Sequence, residues 1–107
     1  MTLLRPGNAS PDLSNECGRT PLSYAASRGY ESHVRMLLER GGLNPDSSDD
    51  DCWTPLSYVV EFGSEGIVKM LLEGGNVNPD SLDADGWTPL TFAAWYNRGD
   101  VVEMLLE

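Results

Sequence analysis

Side chains able to do acid–base, nucleophilic or metal chemistry are few in this sequence, and their spacing argues against most of it. His33 is the only histidine, and no acid or nucleophile stands in register with it. Nucleophilic catalysis would lack both its base and the group that orients the base. Two aspartate runs, Asp46, Asp49, Asp50, Asp51 and Asp80, Asp83, Asp85, offer the clustered carboxylates that a hard cation wants. An EF-hand loop begun at Ser81 would place Asp83, Asp85 and Gly86 correctly, but it lacks the first aspartate and has Phe92 where the bidentate glutamate belongs. The acids read instead as solvated loops, and in a functional form as an electronegative rim that steers a basic partner. No metal, no cofactor and no enzymatic activity are expected.

The elements that position these residues follow from a period. Thr20-Pro21-Leu22, Thr54-Pro55-Leu56 and Thr88-Pro89-Leu90 are each 34 residues apart. The same shift carries Leu37-Leu38 onto Leu71-Leu72 and Leu105-Leu106, and Asn44-Pro45-Asp46 onto Asn78-Pro79-Asp80. Self-similarity at such a period marks a stacked repeat protein, whose units bury their apolar faces against their neighbours. Cys17 shifts onto Asp51, so Cys17 and Cys52 occupy nearly equivalent places in adjacent units. Packed helical layers lie roughly 8 to 10 Å apart, beyond the Cα reach of about 7 Å that a disulfide permits, so two reduced thiols are expected.

Within a unit, each Thr is placed to cap a helix whose first position is proline, where the missing N–H costs nothing. That helix is short, because Gly29, Gly63 and Asn97 fall in register as residues that tolerate the left-handed closing conformation. A second helix carries Val34, Leu37, Leu38, then Ile67, Val68, Leu71, Leu72, then Val101, Val102, Leu105, Leu106 at helical spacing. Gly41-Gly42 and Gly74-Gly75 end it. His33 shifts onto Ile67 and Val101, which predicts a half-buried packing residue; a histidine buried neutral would make stability fall on acidification. The polar stretches from Asn44 to Trp53 and from Asn78 to Trp87 read as turn-forming fingers. Cys52 replaces the glycine of Gly18 and Gly86, so local strain or an altered turn is expected there.

These residues resemble the ankyrin repeat: Thr20-Pro21-Leu22-Ser23-Tyr24-Ala25-Ala26, Thr54 to Val60, and Thr88-Pro89-Leu90-Thr91-Phe92-Ala93-Ala94, each with its leucine pair downstream. Ser23, Ser57 and Thr91 stand where that family usually has histidine, and Val59-Val60 replaces Ala-Ala. The Asn-Pro-Asp-Ser linkers look similar to ankyrin arrays of filamentous fungi. The resemblance implies an all-α helix-turn-helix solenoid with finger loops, whose fingers and first helices line a concave surface that grips a protein partner.

Slots that vary between units mark positions free to specialise. Trp53 and Trp87 share a slot with Arg19 just before each Thr, and Trp95-Tyr96 share slots with Glu61-Phe62 and Ser27-Arg28. The resemblance places both on the concave side, where Trp, Tyr and Arg are the side chains that dominate interfaces. The expected partner-binding set is Arg19, Ser27, Arg28, Asp51, Trp53, Glu61, Phe62, Asp85, Trp87, Trp95 and Tyr96. The other reading is that the aromatics pack on one another between repeats. Tyr24, Tyr58 and Phe92 share a slot that reads as structural.

Seventeen acids against seven Lys plus Arg leave a formal charge of -10, which disfavours nucleic acid and anionic membranes. The expected setting is cytoplasmic. Leu3-Leu4-Arg5 superimposes on Leu37-Leu38-Glu39, and Ser10-Pro11-Asp12 on Asn44-Pro45-Asp46. Residues 1–15 therefore read as the tail of a preceding repeat, followed by repeats at 16–49 and 50–83 and a truncated one at 84–107. A piece of a longer array is expected; the alternative is self-association through uncapped ends, a heterologous contact that builds rings or filaments.

Overall fold

The structure is a computed structural model and describes residues 13–74 and 76–107. Residues 1–12 of the expected repeat tail at 1–15, and the helix-ending Gly75, lie outside the described residues. Among the described residues six helices follow in three pairs: α1 (Pro21–Arg28) and α2 (Glu31–Arg40), α3 (Pro55–Phe62) and α4 (Glu65–Glu73), α5 (Pro89–Trp95) and α6 (Gly99–Leu106). No strand occurs among the described residues. The first helices, α1, α3 and α5, pack side by side as one layer, and α2, α4 and α6 form a second layer on them.

The three Thr residues start α1, α3 and α5, and the side chain at the third helical position explains the missing histidine. Ser23 N–H donates to Thr20 Oγ1 at 3.2 Å while Thr20 N–H donates to Ser23 Oγ at 2.9 Å. Thr54 and Ser57 repeat this reciprocal cap at 3.3 Å in both directions. Glu or Gln is the usual partner in such a box; here a buried serine is short enough to close it. Thr91 N–H donates to Thr88 Oγ1 at 3.2 Å in the third unit.

Helix ends use the slot identified above. Gly29, Gly63 and Asn97 have φ of 72°, 90° and 59°, the left-handed region that glycine enters freely and asparagine tolerates. Packing exploits the first of these positions. A Cβ on Gly29 would stand 2.2 Å from the Phe62 ring, so the missing side chain is what lets α3 seat against the end of α1.

The core runs along the stack without a break. Leu22, Ala26, Leu56, Val59, Val60, Ile67, Val68, Leu71, Phe92, Ala93 and Val101 are all buried. Burial of a Leu or Ile side chain contributes about 1.5–3 kcal/mol, and the stack needs every junction to make up a stable whole.

His33 departs from its register. It is exposed, whereas Ile67 and Val101 are buried. Those two lie on α4 and α6, each of which packs on a preceding outer helix; among the described residues no outer helix precedes α2, and the His33 ring instead lies 5.2 Å from Tyr30. An acid-sensitive buried histidine therefore loses its structural premise.

Candidate partner-binding face

Each finger tip is closed by one side chain. Asn15 Oδ1 accepts N–H bonds from Cys17 and Arg19 at 2.9 and 3.0 Å. Asp49 Oδ1 does the same for Asp51 and Trp53 at 3.0 and 2.9 Å, and Asp83 Oδ1 for Asp85 and Trp87 at 2.9 and 2.8 Å. Two members of the aspartate runs thus spend an oxygen on backbone donors, as Asx-turn residues do. Among the described residues no three His, Cys, Asp or Glu side chains converge to hold a metal ion. Cys52 takes up the glycine position of the turn with φ of 62°, and Cys17 and Cys52 are both free and exposed. Neighbouring fingers are stitched by backbone bonds, Asp50 N–H to Cys17 C=O at 3.0 Å and Ala84 N–H to Asp51 C=O at 3.1 Å.

Closing the tips aims the next residue, Arg19, Trp53 or Trp87, back over the first helices. There it interleaves with the Tyr24, Tyr58, Phe92 slot and forms a ladder along the stack. The Arg19 guanidinium lies 6.0 Å from the Tyr24 ring centre and 5.4 Å from that of Tyr58. Trp53 lies 5.0 Å from Tyr58 and 4.7 Å from Phe92; Trp87 lies 5.1 Å from Phe92 and meets Trp95 edge-on at 5.5 Å. Spacings of this kind suit ring–ring and cation–π attraction.

At the first rung the ladder is polar. The Tyr58 hydroxyl donates to the buried Asp49 carboxylate, and Arg19 Nε stands 3.9 Å from the same oxygen. Burial and the Asp49 hydrogen bond and charge push the Tyr58 phenol up to about 12, with Arg19 pulling the other way. In the first unit the Asn15 amide donates to the Tyr24 hydroxyl at 2.9 Å. Phe92 holds this slot in the third unit and has no hydroxyl to offer Asp83.

The residues singled out in the sequence do not all meet. Arg19, Asp51, Trp53 and Glu61, together with Tyr58, line one recess of about 280 Å³ between the second finger and α3. Glu61 accepts a bond from the Tyr96 hydroxyl at 3.1 Å, which raises the Tyr96 phenol, and its backbone carbonyl takes one from Arg98 at 2.9 Å. Phe62 covers Gly29 and remains 50 % exposed; Trp95 and Tyr96 are 71 % and 36 % exposed. Asp85 is exposed at the third finger. Ser27 is half-buried and donates to the Tyr24 carbonyl at 2.8 Å. Arg28 lies apart, in an apolar groove with Tyr24, Tyr30, His33 and Met36. Tyr58 and Asp49 were not among the expected site residues. A nine-residue spacing, Asn15 to Tyr24 and Asp49 to Tyr58, was the available signal.

Away from this face, α4 and α6 bring two acids together. A hydrogen bond that the protonated Glu65 carboxyl donates to Asp100, then the Asp100 charge, raises Glu65 above the usual carboxylate range.

Comparison with known families agrees with this architecture. A family model described as ankyrin repeats (3 copies) matches residues 1–80 and 41–107. No curated protein sequence matches the chain.

Proposed function

We propose that this chain, which belongs to the ankyrin repeat family, is a non-catalytic module that holds a protein partner against the face formed by its fingers and first helices. Ankyrin repeats are in general protein–protein interaction modules, and the family is typically non-catalytic. One observation carries the choice of face. Among the slots that change from unit to unit, Trp95 and Phe62 are large and exposed, at 71 % and 50 %, while the unchanging Leu22 and Leu56 are buried in the core. Rigid aromatics held in place and left open to solvent are the usual anchors of an interface. Asp51, Glu61 and Asp85 are exposed on the fingers and α3 and favour a basic partner, in keeping with a net charge of -10. Free, exposed Cys17 and Cys52 suit a reducing compartment such as the cytoplasm.

The test is capture of partners on the immobilised chain, beside a Phe62→Ala, Trp95→Ala variant with the same melting curve. Proteins retained by the first and lost by the second support the reading; equal retention overturns it.

A second reading has its own observation. Met36 and Leu106 are exposed at 58 % and 68 %, although Met70 and Leu72 in the same slots are partly covered. Stacking of one copy's Leu106 on another's Met36 would cover both. Mass growing with concentration, and abolished by Leu106→Asp, would support it; a constant monomer mass would remove it.

A further inference from the structure

We infer that the recess between the second finger and α3 receives one cationic side chain, a lysine ammonium or an arginine guanidinium, carried by an extended segment of the partner. The inference rests on the finger-side reading above and adds the chemistry of its central contact.

Charge around the recess is unbalanced in one direction. Its single cation, Arg19, is matched by Asp49 at 3.9 Å, and Asp49 is itself almost fully covered. That leaves the carboxylates of Asp51 and Glu61. Asp51 carries its charge exposed, and its backbone rather than its carboxylate makes the finger contacts. Glu61 gives one oxygen to the Tyr96 hydroxyl, and Arg98 reaches its backbone carbonyl rather than its carboxylate. Two negative charges therefore flank the opening.

The walls complete the fit. Trp53 is fixed between Tyr58 and Phe92 at 5.0 and 4.7 Å, so it adds a rigid aromatic surface at little ordering cost. A cation near such a surface and between two carboxylates gains from both. The chain already shows this recognition within itself: the Arg19 guanidinium lies between two tyrosine rings beside a carboxylate. At the next rung the slot of Arg19 is filled by the neutral Trp53, so the acids downstream have no internal cation of this kind. A volume of about 280 Å³ suits one side chain rather than a folded surface.

Three acetylated Gly-Ser peptides of equal length, carrying two arginines, two glutamates or neither, would be titrated into the chain. The Trp53 indole N–H and the Asp51 amide are followed by NMR. The arginine peptide should shift both signals saturably. Asp51→Asn, Glu61→Gln should weaken it about tenfold, and Glu103→Gln, Glu107→Gln, with the same change in charge on the α6 side, less than about twofold. Asp51→Asn alone guards against a structural effect, since Glu61 also holds Tyr96; it should weaken binding with an otherwise unchanged amide spectrum. Equal losses in the two double variants would overturn the inference in favour of diffuse charge attraction. Equally strong shifts at Trp53 from the glutamate or uncharged peptide would overturn it while leaving the finger-side reading intact. Absence of any shift at Trp53 and Asp51 with all three, with the Trp95 indole N–H read in the same spectra and also unmoved, would count against both.

Discussion

The junction of the first and second units and that of the second and third use the same slots with different chemistry. In the first, a guanidinium sits between two tyrosines and is tied to a buried carboxylate that also takes a tyrosine hydroxyl. In the second, an indole sits between Tyr58 and Phe92, and the corresponding Asp83 has no tyrosine hydroxyl to accept. The apolar slots beneath are equally buried in the first two units, Leu22 with Leu56 and Ala26 with Val60, and in the third Leu90 is half-buried and Ala94 exposed. Backbone geometry is set by caps, turns and the apolar core, so the ladder slots are released to vary. A repeat scaffold can in this way carry a charged rung and an aromatic rung side by side without altering its packing rule.

The largest test of that comparison lies at the helix ends. Gly29→Ala and Gly63→Ala both place a side chain in the left-handed region, at a cost of about 1–2 kcal/mol. Gly29 would in addition drive its methyl into the Phe62 ring at 2.2 Å, whereas Gly63 meets the end of the Arg98 side chain at 2.9 Å, which can swing away. Urea unfolding should show Gly29→Ala as the more damaging of the two.

A smaller effect separates the rungs themselves. Tyr58→Phe converts the first rung toward the second and removes a hydrogen bond to a carboxylate, with an expected loss of about 1.5 kcal/mol. Its pH dependence sharpens the point. The folded phenol is raised to about 12 against about 10 in the unfolded chain. The contribution is thus fully present below about pH 10 and fades as pH rises toward 12. Melting temperatures of wild type should fall more steeply across that window than those of Tyr58→Phe.

The smallest effect is on the outer layer. Because Asp100 raises the folded Glu65 carboxyl, its favourable contribution exists at acid pH and is lost as pH rises through the folded value. Glu65→Gln should therefore raise the melting temperature slightly at pH 7 and leave it unchanged, or lower it, in acid.

Much of this could be read before the structure. The 34-residue shift placed the helices, the Thr caps and the closing Gly29, Gly63 and Asn97, because local backbone demands leave local residue signatures; the turn at Cys52 is not altered but keeps the left-handed geometry of Gly18 and Gly86, with φ of 62° against 78° and 82°. Ser23 and Ser57 were legible only as departures, since their role depends on burial that lets a short hydroxyl reach the cap. The bond between Asp49 and Tyr58 links a finger to the helix after it, and a tyrosine in an apolar slot gives no sign of where its hydroxyl points. His33 was misread because register assigns burial only where a neighbour covers the slot. The tryptophans had two readings, and the geometry gives them different surroundings: Trp53 and Trp87 are half-buried among rings, and Trp95 stands in solvent.

That difference is the most direct place to test the division between a structural ladder and an exposed recognition rim. Trp53→Ala and Trp95→Ala would be unfolded in urea side by side and compared, once immobilised, for binding of the partners that the wild-type chain captures. Trp53→Ala should lose about 2 kcal/mol or more of stability as its rung empties, whereas Trp95→Ala should stay within about 0.5 kcal/mol of wild type and still bind more weakly. Equal destabilisation of the two, or a Trp95→Ala variant that binds as wild type does, would contradict the division of labour between floor and rim.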